Sequence, residues 1–94
     1  MNTFFLSQKT PTEIAVHLSQ RLRAIRRRRK ISQVSLSEKS GVSLGSLKRF
    51  EQTGEISLLS LIKLATALGL EDQLDELFTD AAFLSIEEVM NEKH

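Results

Sequence analysis

The sequence predicts an all-α domain of five helices with a short C-terminal extension, and three observations carry that prediction. Helix-start residues recur along the chain, at Thr10, Ser32, Ser43 and Ser57, each ahead of an apolar stretch. Apolar side chains then return every three or four residues, the helical period. No alternating apolar–polar stretch is long enough for a convincing strand, and no internal repeat is present. With 94 residues the chain is one domain, and a chain of that size buries only about 60–65% of its unfolded surface.

The first helix starts at Pro11, because Thr10-Pro11-Thr12-Glu13 combines a hydroxyl cap, proline where no N–H is needed and glutamate three residues after the cap. At about 100° per residue, Ile14, Leu18, Leu22 and Ile25 fall within about 80° of one another and predict its buried stripe. Arg23, Arg26, Arg27 and Lys30 are expected opposite, with the helix ending near Arg29. Ser32 caps a short second helix, with Val34 and Leu36 available for burial, which stops at Ser40 before Gly41. Ser43 caps a third, Leu44 to about Gln52. Only three residues, Gly41 to Ser43, join the two, so the helices must cross steeply, as in a helix-turn-helix unit over about 33–52.

Thr53 to Ile56 reads as a loop. Ser57 then caps a fourth helix with Leu58, Leu61, Ile62, Ala65 and Leu68 at helical spacing, closed by Gly69. Leu70, Leu74, Leu77 and Phe78 predict a fifth, short helix. Ser85-Ile86-Glu87-Glu88 is another capping box, ahead of a last turn containing Val89 and Met90. The expected organisation is an N-terminal arm over 1–9, a helical domain over 10–79 and an acidic tail over 80–94.

The formal charge is +1, yet it is strongly divided. Up to Phe50 eleven basic residues face two acidic ones, a net of +9; from Glu51 onward two basic residues face ten acidic ones, a net of −8. A basic half suits a polyanion, and an acidic half suits a protein partner or a second copy. Cysteine is absent, and the two histidines, His17 and His94, are far apart, which removes disulfide frameworks and zinc-finger readings. His17 lies about 60° outside the first helix's stripe, with no acid or nucleophile at a triad-like or metal-like spacing. No enzyme and no cofactor is expected. No apolar run reaches the roughly 18 residues of a membrane span, and Phe4-Phe5-Leu6 is too short for a signal-peptide core. A soluble, cytoplasmic protein with no membrane partner is the expectation.

The segment from Leu22 to Leu70, about half of the chain, resembles the lambda-repressor-like helix-turn-helix family, also called the Cro or XRE type. The matching residues are Leu22, Ile25 and Arg26, then Gln33, Leu36, Gly41, Val42, Ser43, Leu47, Phe50 and Glu51, then Leu61, Leu64, Ala65, Leu68 and Gly69. Their physical reasons are legible without the family. Ser37, where relatives usually carry alanine, must be small beneath the crossing third helix; Gly41 needs positive φ; Val42 and Leu47 fill the space between the two helices.

The resemblance implies that the third helix enters the major groove of duplex DNA. With Leu44 at 0°, Leu47, Phe50 and Glu51 fall between about 240° and 340°, and Gly45, Lys48, Arg49 and Gln52 between about 40° and 140°. Leu44, Gly45, Lys48, Arg49 and Gln52 are therefore the expected base-reading set. Lys48 and Arg49 donate to guanine, Gln52 bonds adenine or a phosphate, Gly45 permits close backbone approach, and Leu44 offers only apolar contact. For Lys48 and Arg49 the plain alternative is a solvated helix face.

Phosphate contacts are expected from Gln33 at a helix N-terminus, from Ser43 and Ser57, which also cap helices, and from the basic run Arg27, Arg28, Arg29 and Lys30. That run equally suits a helix C-terminus, which favours cations. The resemblance makes Arg26 and Glu51 a structural salt bridge. Glu55 stands where relatives often carry lysine, which predicts a weaker backbone grip.

The implied function is a sequence-specific repressor of double-stranded DNA, dimeric on an inverted-repeat operator. The chain's size, its Thr-Pro helix start and its acidic tail also resemble antitoxin repressors of the HipB type, which implies a HipA-like kinase toxin held by the acidic C-terminal half. A protein-interaction module, or a phage or restriction-modification regulator without a toxin, is the alternative.

Overall fold

A computed structural model of the chain describes residues 9–80, and every element within them is helical. The order is α1 (Pro11–Arg28), α2 (Gln33–Ser40), α3 (Leu44–Thr53), α4 (Leu58–Ala67) and α5 (Glu71–Asp75). Residues 1–8 of the expected arm and residues 81–94 of the expected acidic tail, with the capping box at Ser85, lie outside the described residues.

Each of the first four helices starts on a side-chain cap, because its first N–H groups have no partner within the helix. Thr10 and Glu13 exchange the two bonds of a capping box: Thr10 N–H donates to Glu13 Oε1 (3.0 Å) and Glu13 N–H to Thr10 Oγ1 (3.1 Å). The first of these, a backbone N–H aimed at the carboxylate, holds the Glu13 carboxyl below its ordinary value. Ser32, Ser43 and Ser57 accept from the N–H three residues on. α1 stops at Lys30, which adopts positive φ (58°) and donates its N–H to the Arg27 carbonyl, followed by Ile31 N–H to Arg26 O. That is the usual helix-ending reversal, carried out here without glycine.

The core is formed by Leu22, Leu36, Val42, Leu47, Phe50, Leu64 and Leu68, with Ile25, Ile31, Ile56, Leu61 and Leu70 packed around it. α3 lies against both α1 and α2, α4 against α2, and α5 against α4. One contact fixes α1 against the end of α3. Gly54 is buried at φ +81°, and a Cβ there would sit 2.7 Å from the Ala15 carbonyl carbon and 2.8 Å from the Val16 nitrogen. Only a residue without a side chain lets the two backbones meet.

The structure corrects four details of the sequence reading. The buried line of α1 runs through Ser19, Leu22 and Arg26, while Ile14 (54% exposed) stands in solvent and Leu18 is exposed. The buried face is turned roughly 70° from the purely apolar stripe. Polar side chains occupy it because each is satisfied there: Ser19 Oγ donates to the Val16 carbonyl (2.8 Å), and Arg26 is paired across the core.

On α2 only Leu36 is buried, and Val34 is exposed. α4 is apolar on nearly every side, so spacing alone cannot choose its inner face. Leu64 and Ala65 turn inward, and Leu58, Leu59 and Ile62 outward. α5 ends at Asp75, short of Leu77 and Phe78, both exposed; Phe78 itself has positive φ (65°), a conformation that interrupts a helix.

Candidate nucleic-acid interface

The steep crossing of α2 and α3 is set by the turn between them. Gly41 adopts φ +77°, and hydroxyls secure the rest: Ser37 Oγ donates to the Val42 carbonyl (2.6 Å), and Val42 N–H donates to Ser40 Oγ (3.1 Å). Sequence reasoning gives Ser37 its role through small size alone. The hydroxyl bonds are an addition, whose only signal is the density of serines at 37, 40 and 43.

α3 is then held by one arc and bare on the other. Leu47, Phe50 and Glu51 are buried, whereas Gly45, Lys48, Arg49 and Gln52 are exposed. Leu44 is half-buried, the one of the five expected base-reading residues that is not fully exposed.

Beneath α3, Glu51 is a hub. Its Oε2 accepts from Arg26 Nε at 2.7 Å and its Oε1 from Arg26 Nη2 at 2.9 Å, while Gln33 Nε2 also donates to Oε1 at 2.9 Å. Arg26 Nη1 closes the network on the Ile31 carbonyl (2.8 Å), and Arg23 lies 3.9 Å from Oε1. A buried charge pair is tolerable only when its remaining donors and acceptors are occupied. That condition holds, since no buried side-chain nitrogen or oxygen among the described residues lacks a partner. The network ties α1, α2 and α3 to a single carboxylate and so fixes the attitude of α3.

The expected phosphate contacts divide on inspection. Arg27, Arg28 and Lys30 are exposed around the end of α1, as are the caps Ser43 and Ser57. Arg29 is exposed as well, and its Nη1 also donates to the Leu68 carbonyl at the end of α4, where a helix leaves carbonyls without partners. That bond fastens the α1–α2 connection to α4. Gln33 is half-buried and spends an amide hydrogen on Glu51, so its place at the α2 N-terminus is fixed from within.

Two further contacts escape sequence reasoning. Arg29 reaches a carbonyl 39 residues away, for which no local pattern exists. Arg49 Nη2 donates to Glu55 Oε1 at 2.7 Å, a pair whose only signal is opposite charge six residues apart across a loop.

His17 is half-buried on α1. Among the described residues no group of three or more His, Cys, Asp or Glu side chains is placed to hold a metal ion, and no helix is long and apolar enough to cross a membrane.

The family model described as Helix-turn-helix matches residues 22–73, more than half of the chain. The chain belongs to this family. It is the Cro/C1-type, lambda-repressor-like class of DNA-binding transcription regulators, and the five-helix architecture agrees with it. No curated protein and no solved structure matches the chain.

Proposed function

We propose that this helix-turn-helix protein is a transcriptional repressor that binds a specific double-stranded operator as a homodimer, with residues 10–79 as the DNA-binding unit. The observation that carries this reading is the bare arc of α3. Gly45, Lys48, Arg49 and Gln52 are all exposed on a helix whose other arc is clamped by core packing and by the Glu51 network. In this reading those four residues, with the edge of Leu44, face base pairs in the major groove. Arg27, Arg28, Arg29, Lys30, Gln33, Ser43 and Ser57 face the phosphates on either side.

A helix of ten residues reads few base pairs. Two copies with recognition helices about 34 Å apart supply the missing specificity on an inverted repeat. The dimer is supported by Leu77 and Phe78, 54% and 73% exposed just beyond α5, where no other described residue covers these large apolar side chains. Selection from a random duplex library tests the whole reading. A palindromic site, a 2:1 complex in sedimentation and repression of a reporter carrying that site are the expected results. A protein that selects no sequence refutes the reading.

A second reading concerns the acidic half. Glu71, Asp72 and Asp75 line a shallow groove with Ile62 and Leu74 on α4 and α5. Negative charge there is repelled by DNA, which leaves the groove to a protein. A HipA-like kinase toxin is the partner that suits the antitoxin resemblance. Truncation after Asp80 is expected to keep DNA binding and to lose a co-expressed toxin; a truncated chain that unfolds or turns monomeric makes the tail structural instead.

A further inference from the structure

Arg49 is the one cation of the exposed α3 arc that carries a counter-charge. Arg49 Nη2 and Glu55 Oε1 lie 2.7 Å apart, with side chains 67% and 64% exposed, whereas Lys48, Arg27, Arg28 and Lys30 make no ion pair with a described residue. An exposed pair of this kind adds little to stability. Its position suits another use.

The backbone on both sides of the pair is fixed. Thr53 Oγ1 donates to the Arg49 carbonyl (2.7 Å) and accepts from Glu55 N–H (3.1 Å), so one hydroxyl measures the distance between the two residues. Gly54, between them, is pressed against the α1 backbone. The carboxylate is thus presented to Arg49 from a loop whose backbone is held on both sides, and the pairing biases the guanidinium toward one set of rotamers before any ligand arrives.

We propose that Glu55 is a specificity-determining residue, which positions the Arg49 fork for a base edge and withholds its charge from phosphates. This rests on the DNA-binding reading above. A guanidinium has five N–H donors; one bonded to Glu55 leaves enough for the two-pronged contact with guanine O6 and N7. The carboxylate cancels the long-range attraction that an unpaired arginine exerts on any phosphate, and that attraction is the part of affinity that does not depend on sequence. Glu55 also stands beside Ser57 and Ser60, at the edge of the groove by the α4 N-terminus, where its charge opposes a phosphate settling on those N–H groups. Glu55 therefore lowers affinity for DNA in general while sparing the site that Arg49 reads.

The test uses the full chain, a duplex site selected by the wild-type protein, and a random duplex of equal length. Glu55→Gln keeps the shape and removes the charge. Its affinity for the random duplex is expected to rise about fivefold, the scale of one contact between unit charges in water. Its affinity for the selected site is expected not to rise, and base preference is expected to relax at one position of each half-site. In an Arg49→Ala background the same substitution is expected to leave the ratio of selected to random affinity unchanged, because Glu55 then has no fork to position. Urea midpoints are expected to agree across the variants, which separates this effect from folding.

An equal rise on both duplexes, no change on either, or a ratio that shifts as much without Arg49 would overturn the proposal. A wild-type chain that selects no site overturns the DNA-binding reading itself, and this inference with it.

Discussion

Arg26 on α1 and Glu51 on α3 are joined by two hydrogen bonds, of 2.7 and 2.9 Å, between side chains only 10% and 4% exposed. Neither charge has much water to fall back on, so each is neutralised in place chiefly by the other. Removing one partner leaves the other buried and unpaired, at a cost of about 3–5 kcal/mol. Arg26→Ala and Glu51→Ala are each expected to lose that much in urea unfolding, with DNA binding lost as α3 comes loose. Arg26→Met combined with Glu51→Leu removes both charges and is expected to recover most of the loss. A double variant as unstable as the sum of the singles would mean that the two side chains are not coupled and that each loss has a separate cause.

Gly54 and Gly41 both have positive φ, but their surroundings differ. At Gly41 a Cβ meets nothing within 4 Å, whereas at Gly54 it meets the Ala15 and Val16 backbone at 2.7–2.9 Å. Gly41→Ala is expected to cost only the left-handed penalty, about 1–2 kcal/mol. Gly54→Ala adds a clash with backbone that cannot rotate away, for a total of about 2–5 kcal/mol. Thermal or urea unfolding of the two variants side by side checks the order; equal losses would show that α1 moves aside freely.

Much of this fold is legible in the chain because its punctuation is local. Thr10, Ser32, Ser43 and Ser57 each cap a helix where a hydroxyl precedes an apolar run, and Gly41 and Gly54 end helices as αL residues. The choice of buried face is less legible. It depends on partners far away in sequence, as with Arg26, which is buried only because Glu51 is there, and Ile14, which is exposed although it continues an apolar stripe. The exposed arc of α3 follows directly from helical period, since Leu47 and Phe50 leave only one inner side. The engagement of Arg29 with Leu68 and of Arg49 with Glu55 has no periodic signal, because loops set both distances.

Glu13 makes the start of α1 sensitive to acid. Its carboxyl is held below the ordinary value of 4.5 by the Thr10 N–H. A carboxylate with a depressed folded pKa contributes stability that is present above the unfolded value and lost as pH falls through the folded one. Glu13→Gln can still accept from Thr10 but does not titrate. The wild type is therefore expected to be the more stable of the two at pH 7, with the difference shrinking below about pH 4.5. A difference that stays constant between pH 7 and pH 3 would remove Glu13 from the acid response.

Lys30 holds φ at 58° to end α1, a conformation that costs a residue with a Cβ about 1–2 kcal/mol. Lys30→Gly relieves that strain but frees the unfolded chain, so a net gain of a few tenths to about 1 kcal/mol is expected. The same substitution removes a cation from the proposed phosphate-facing edge. Stability is therefore expected to rise while affinity for all duplexes falls, and the slope of log affinity against log salt is expected to flatten by about one unit. If affinity were unchanged, the end of α1 would not touch the backbone.

The division of labour between α3 and the end of α1 is open to one comparison. Lys48 lies on the bare arc of α3, and Arg28 lies on the exposed end of α1. In the proposed complex Lys48 meets a base edge and Arg28 a phosphate. Lys48→Ala is expected to weaken the selected site by about 1–3 kcal/mol and to leave random duplex nearly untouched. Arg28→Ala is expected to weaken both duplexes alike and to reduce the salt slope by about one unit. Both side chains are exposed, so neither variant should alter the urea midpoint, and a change in binding can be assigned to the interface. If each variant loses the same affinity on selected and random DNA, α3 holds the backbone just as α1 does, and sequence is then read through the shape of the duplex rather than through this helix.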